Sequence, residues 1–158
     1  MKERLNKHGV FAGPMTVGEV LETAASIVAE RFVDSDLYSN PNKVKEFLKF
    51  KLAPYEREVF GVMMLNSQHA LIDFEELFFG TVNMASVYPR EIVKSVLQNN
   101  AAAVILAHNH PSGEAEPSQA DKHITQRIQK ALALIDVEVL DHIVVGKKSV
   151  SFAERGLL

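Results

Sequence analysis

Apolar positions along the chain change their period several times, and each change marks an element. Val17, Val20, Leu21, Ala24, Ile27, Val28 and Phe32 recur at helical spacing behind Thr16 and Glu19, a capping-box pair, so a first helix is predicted over about 16–34. Residues 1–15, with Gly9, Gly13 and Pro14 and no apolar period, read as a lead-in. Asp34-Ser-Asp and Ser39-Asn-Pro41 mark a loop, and Pro41 suits the first turn of a second helix that buries Val44, Phe47 and Leu48 and stops near Pro54. Val59–Leu65 is apolar on both alternate sets, which predicts a strand covered on both faces. Asn66–His69 reads as a turn, and Leu71–Val82 as a β segment pairing back on that strand. Tyr88-Pro89 opens a helix carrying Ile92, Val93, Val96 and Leu97, closed by Asn99-Asn100. Ala101–Ala107 follows as a buried strand and His108–Pro117 as a loop. Ser118 then begins a helix with Ile124, Ile128, Ala131 and Leu132 inward. Val137–Val145 and Ser149–Phe152, joined by Gly146-Lys-Lys148, read as a final hairpin. The pattern is α/β with a mixed β-sheet sandwiched by helices, divided into a lead-in and helix over 1–40 and a main domain over 41–158.

Composition narrows the chemistry. At 158 residues with 47% hydrophobic and 23% charged positions the chain can support a core without disulfides, and it has no Cys. That removes thiolate nucleophiles, Fe–S clusters, Cys-ligated zinc and the base-deaminase signature, so any transition metal must be held by His and carboxylate. The longest strictly apolar run is Ala101–Ala107, far below the about 20 residues a membrane span needs. The charged N-terminus lacks an apolar stretch behind it, and a cytoplasmic location is the expectation. A net charge of −3, with no basic run longer than Lys147-Lys148, gives no electrostatic footprint for nucleic acid.

One segment concentrates reactive side chains: His108-Asn109-His110-Pro111-Ser112-Gly113, then Pro117-Ser118-Gln119-Ala120-Asp121. Side chains two apart in an extended chain share a side, so His108 and His110 can converge on one ion. Asp121, in the first turn of the next helix, can be folded back toward the strand end. Two His and a carboxylate make a zinc-type set with a fourth position for water. Ser118 and Asp121 also form an S-x-x-D capping box, a role compatible with metal ligation. His8, His69 and His123 read as surface residues. His142, between Leu140 and Ile143 beside Asp141, reads as a satisfied structural histidine, and Met63 and Met64 as core filler.

His108-x-His110, seven residues, Ser118, two residues and Asp121 resemble the JAMM/MPN metalloprotease motif. The flanking Val87-Tyr-Pro-Arg-Glu-Ile-Val93 and Ala101–Gly113 resemble the RadC branch of that superfamily, over about Pro41 to Leu158. The resemblance implies a cytidine-deaminase-like α/β sandwich and one zinc per chain on His108, His110 and Asp121, with water as fourth ligand. It also implies a general base on an upstream strand, which matches Glu58; Glu56, Glu75, Glu76 and Glu91 are the competing carboxylates, Glu56 nearest. Ser118 would help the metal stabilise an oxyanion.

The function this implies is zinc-dependent hydrolysis of an amide or isopeptide bond in a peptide or protein substrate. Two other classes compete. The family's DNA-repair association suggests nucleic-acid processing or binding, but the acidic balance opposes it. The residues before Pro41 hold one capped helix where full-length RadC proteins carry a helix-hairpin-helix segment. The letters His108-Asn109-His110 resemble an HNH nuclease only superficially, since consecutive strand residues alternate faces. A scaffold with a vestigial zinc site is the third class, opposed by an intact glutamate and an open coordination position.

Overall fold

A computed structural model describes residues 13–30, 40–80 and 87–158 of the chain. Its elements are α1 (Val17–Glu30), α2 (Pro41–Leu52), β1 (Val59–Leu65), β2 (Leu71–Phe79), α3 (Pro89–Gln98), β3 (Ala103–Asn109), α4 (Gln119–Ala133), β4 (Glu138–Val145) and β5 (Val150–Ser151). His8, the expected helical position Phe32, the loop from Asp34 and the Thr81-Val82 end of the second β segment lie outside the described residues.

The five strands form one sheet in the order β2-β1-β3-β4-β5. β1 is antiparallel to both β2 and β3, β3 is parallel to β4 through the α4 crossover, and β5 is antiparallel to β4. The sheet is therefore mixed and lies between two helical layers. Val59, Met63, Leu65, Ile105, Ile143 and Val145 face α2 and the Ala25 side of α1. Phe60, Val62, Met64, Val104, Leu106 and Val139 face α3 and α4 through Ile92, Val96, Ile124, Ile128 and Leu132. Every residue of β1 and β3 is buried, which explains why neither shows an apolar–polar alternation. No described helix is long and apolar enough to cross a membrane.

Four expectations need correction. The third strand runs through His108 and Asn109, so the loop starts only at His110. Its register against β1 continues to the Phe60–His108 pair, and Val59 N–H donates to the Asn109 side chain one step beyond. The final strand is only Val150–Ser151, because the chain turns after Phe152 N–H has donated to His142 O. The first helix keeps its Thr16–Glu19 capping box but buries a narrower stripe than expected. Ala25 is at 0% exposure with Leu21 and Val28 half-buried on the same i, i+4, i+7 line, whereas Val17, Val20 and Ile27 are exposed. In α3, likewise, Leu97 faces solvent while Ile92 and Val96 are buried.

Candidate metal centre

The candidate residues are brought together by three elements meeting at one end of the sheet. β3 delivers His108, whose side chain points to the α3/α4 face, and Asn109, which points to the α2 face. His110 follows, its N–H donating to Val145 O at 2.9 Å so that the chain stays in register beside β4 as it leaves the sheet. Continuing the antiparallel pairing of Phe60 with His108 by two residues sets Glu58 opposite His110, on the same face. Asn109 fixes that end of β1. Its Oδ1 accepts from Val59 N–H at 2.7 Å and its Nδ2 donates to Arg57 O at 3.0 Å, one bond on each side of Glu58. Phe60 lies parallel to the His108 ring, 6.1 Å between centroids and 9° between planes, and limits its rotation.

The third group comes from the start of α4. Ser118 is the N-cap: its Oγ accepts from Asp121 N–H at 3.1 Å, and its own N–H donates to Asp121 Oδ2 at 2.7 Å. This reciprocal pair holds the Asp121 carboxylate against the strand end. Oδ1 lies 3.2 Å from His108 Nε2, and Oδ2 lies 3.5 Å from His110 Nε2. The two Nε2 atoms are 3.0 Å apart. One ligand atom from each of His108, His110 and Asp121 therefore lies within 4.8 Å of the others. The cap and the convergence of donors coexist in one geometry, as their spacing implies.

The electrostatics follow from burial and proximity. Burial pushes the Asp121 carboxyl up, but its bonds with His108 and His110, the nearby His108 charge and the Ser118 N–H together hold it well below the ordinary carboxylate range. His110 is raised above 6.5, chiefly by its bond to Asp121, against the opposing effect of burial; the Glu114 carbonyl and the negative charges of Asp121 and Glu58 add to the rise. His142, fully buried, is lowered well below 6.5 by desolvation and by the charge of His108.

The donor set fits a zinc-type ion. His110 Nδ1 lies 2.8 Å from Glu114 O, and a carbonyl can only accept, so in the neutral ring Nδ1 carries the proton and Nε2 is a lone pair. That lone pair meets a carboxylate and a second imidazole nitrogen at contact distance, an assembly of acceptors that a cation satisfies. The Glu114 carbonyl is itself held in place by packing of its loop. Lys147 N–H donates to Gly113 O at 2.9 Å, and Gly146 lies so close that a Cβ there would sit 2.6 Å from the same oxygen.

Of the rival carboxylates, Glu75 accepts from Ser95 Oγ at 2.6 Å and from Asn99 Nδ2 at 3.0 Å, and Glu76 accepts from the Tyr55 hydroxyl. Glu91 pairs with Arg90 at 3.3 Å, and Glu56 is exposed. His123 is exposed, and His69 is half-buried in the β1–β2 turn with φ 59°. His142 is satisfied, as expected, but its partners are His108 Nδ1 at 2.8 Å and Thr125 Oγ1 at 2.6 Å. Sequence reasoning missed that link, together with the roles of Asn109 and the Glu114 carbonyl. The link is carried by the sheet register, in which Val144, two residues after His142, pairs with His108 in the parallel β3–β4 ladder.

Comparison with known proteins supports the same region. A family model described as a RadC-like JAB domain matches residues 38–157. Two UPF0758 proteins of Vibrio cholerae are each 60% identical to the chain, one over 140 residues that cover 89% of both proteins, the other over 139 residues covering 88% of each. The UPF0758 protein of Idiomarina loihiensis is 55% identical over 92% of the chain and 67% of its own length. That of Methylibium petroleiphilum is 58% identical over 88% of the chain and 63% of its own length, so some relatives extend well beyond the matched part.

Proposed function

Because the chain belongs to the RadC family, with its JAB-type domain spanning residues 38–157, we propose that it is a zinc-dependent hydrolase of amide or isopeptide bonds acting on a peptide or protein substrate in the cytoplasm. The observation that carries this reading is the convergence of His108, His110 and Asp121, with ligand atoms within 4.8 Å of one another. Those three residues would hold the ion and leave a position open. Zinc, when bound, would polarise the substrate carbonyl and lower the pKa of water from about 15.7 toward about 7.

The chain's own groups account for the rest. Glu58, at the head of β1 opposite His110, would accept the proton of the attacking water and return it to the leaving amine. It is suited to the task because its backbone is pinned at Arg57 and Val59 while its side chain stays half-buried at the cluster. Ser118 Oγ accepts from Asp121 N–H, which leaves its own proton available to donate to a developing oxyanion. A groove of about 150 Å³ beside His110, bounded by Pro111, Gly146 and Leu52, offers room for a substrate side chain on the α2 side. The net charge of −3 favours neither DNA nor RNA as substrate.

The test is metal analysis of the purified protein joined to a peptidase and nuclease screen. About one zinc per chain is expected, lost in His108→Ala and His110→Ala and kept in His69→Ala and His123→Ala. Glu58→Gln should keep zinc and melting temperature while losing about 10²–10⁴-fold in turnover. Equal metal content in all four histidine variants would refute the site. If Glu56→Gln is the variant that loses turnover, the base is misassigned.

A further inference from the structure

The ring nitrogen of His108 that faces away from the cluster enters a chain of contacts ending on a main-chain carbonyl, and protons in that chain can be ordered in one way. Thr125 Oγ1 lies 2.6 Å from Asp121 O and 2.6 Å from His142 Nδ1. A hydroxyl carries one proton and the carbonyl can only accept, so Thr125 donates to Asp121. The contact between Thr125 and His142 then takes its proton from His142 Nδ1. His142 is fully buried, packed between Phe152, stacked at 4.6 Å, and the edge of Phe60 at 5.5 Å, with no carboxylate on either nitrogen. Its ring is neutral there, and a neutral imidazole with Nδ1–H has a bare Nε2. The 2.8 Å contact between His142 Nε2 and His108 Nδ1 therefore takes its proton from His108.

We propose that His142, oriented by Thr125, is a positioning residue that holds His108 in its Nδ1–H tautomer and so turns the His108 Nε2 lone pair toward the metal cluster. This rests on the metal-site reading above and deepens it. The opposite tautomer would put a proton on Nε2, between His110 Nε2 at 3.0 Å and Asp121 Oδ1 at 3.2 Å, where a metal would have to displace it. Metal-bound histidines usually donate their second N–H to a carboxylate or a carbonyl. His110 does so directly, through Glu114 O. His108 lies too deep for that, and a second imidazole and a hydroxyl carry the same instruction to Asp121 O. The residue whose carbonyl terminates the chain is also the one whose carboxylate completes the cluster.

Two measurements test this on the intact chain. In the metal-free wild type, long-range proton–nitrogen NMR of the histidine rings should show His108 and His142 both protonated at Nδ1. Zinc affinity, measured by competition with a chromogenic chelator, should fall about 10–100-fold in His142→Phe, which keeps a ring but removes the acceptor. His142→Gln, whose side-chain oxygen can accept from His108, should recover most of that loss. Thr125→Ser should bind like wild type and Thr125→Val more weakly, while His123→Phe should change nothing. A metal-free His108 whose neutral ring carries its proton at Nε2 overturns the proposal, as does a folded His142→Phe that binds zinc as tightly as wild type. Should His142→Phe fail to fold, equal zinc affinity in Thr125→Val and Thr125→Ser overturns it instead. A wild type that binds no zinc refutes the metal-site reading, and the His108 tautomer still decides this one.

Discussion

Asn109 sits between the two cluster histidines in sequence and points the opposite way, which makes Asn109→Ala a clean probe of how Glu58, the proposed base, is held. The side chain is 4% exposed and makes two bonds to the main chain that brackets Glu58. Truncation leaves the fully buried Val59 amide without an acceptor, at a cost of about 1–3 kcal/mol. The Arg57 carbonyl belongs to an exposed residue and can turn to water, so its loss is nearer the net worth of one bond, about 0.5–1.5 kcal/mol. Together these predict about 1.5–4.5 kcal/mol, read as a lower urea midpoint with an unchanged slope. Because His108, His110 and Asp121 lie on the other face, zinc affinity should stay within a few-fold of wild type while turnover falls as Glu58 loses its fixed backbone. Asn109→Asp separates the two bonds: it keeps the acceptor for Val59 but sets a carboxylate oxygen against Arg57 O, and should lose turnover with less loss of stability. An Asn109→Ala variant destabilised by less than about 0.5 kcal/mol, with normal turnover, refutes the reasoning.

Three further outcomes are expected. The Tyr55 hydroxyl donates to Glu76, which, with burial and the negative charges of Glu76 and Glu22, pushes its pKa up to about 12. The unfolded chain loses that proton near 10, so the contribution to stability is complete below pH 10 and disappears as the pH rises toward 12; Tyr55→Phe should flatten that part of the stability curve. Gly61→Ala would place a Cβ 2.5 Å from the Phe74 ring where β1 meets the β2 bulge, and should cost about 1–3 kcal/mol in thermal or urea unfolding; an unchanged midpoint would show that Phe74 moves freely. Ser118→Asp keeps an N-cap acceptor but cannot donate, so it should preserve melting temperature and lose about 10²–10³-fold in turnover, with retained zinc checked by metal analysis and full activity leaving Ser118 as a cap only.

Much of the candidate cluster was readable because its determinants are local. Two histidines two apart at the end of a buried strand and a capping box whose aspartate lies eleven residues on are spacings that need no tertiary information, and the two-faced apolar run before His108 and the Ser118 cap mark the elements that carry them. What escaped depends on register. His142 looks like the partner of its neighbour Asp141, yet adjacent strand residues face opposite ways. Asp141 instead ties its own strand end, accepting from the main chain of His142 and Ala153 and from Ser151 Oγ. The link from His142 to His108 exists only because β4 lies parallel beside β3 with a register shift between Val104 and Ile105, a property of the assembled sheet. Asn109 was similarly opaque: its partners are 50 and 52 residues away, on a strand whose pairing direction no local signal specifies. The stripe of α1 was misread because Val17, Val20 and Ile27 are apolar without being buried, and exposed single apolar residues are ordinary on protein surfaces.

The first turns of α4 join tasks that are usually distributed. Asp121 N–H and its carboxylate close the capping box with Ser118, the same carboxylate faces both imidazoles, and its carbonyl takes the Thr125 hydroxyl that orders His142 and His108. A substitution at Asp121 therefore removes the carboxylate half of the capping box and one donor of the candidate cluster at once, while the main-chain N–H and carbonyl of residue 121 keep their bonds to Ser118 and Thr125. The loop between His110 and Ser118 carries a different constraint. It must hold the Glu114 carbonyl toward His110, which it does through the close fit of Gly113 against Lys147 and Gly146. Ser112 Oγ adds to this hold by accepting from Glu114 N–H at 3.3 Å, whereas the exposed side chains of Pro111 and Glu116, the latter paired with Arg155, make no bond to Glu114. In the proposed hydrolase, substrate preference can thus vary along this rim while the candidate donors stay fixed by β3 and α4, because recognition and metal geometry would rest on different atoms of the same segment.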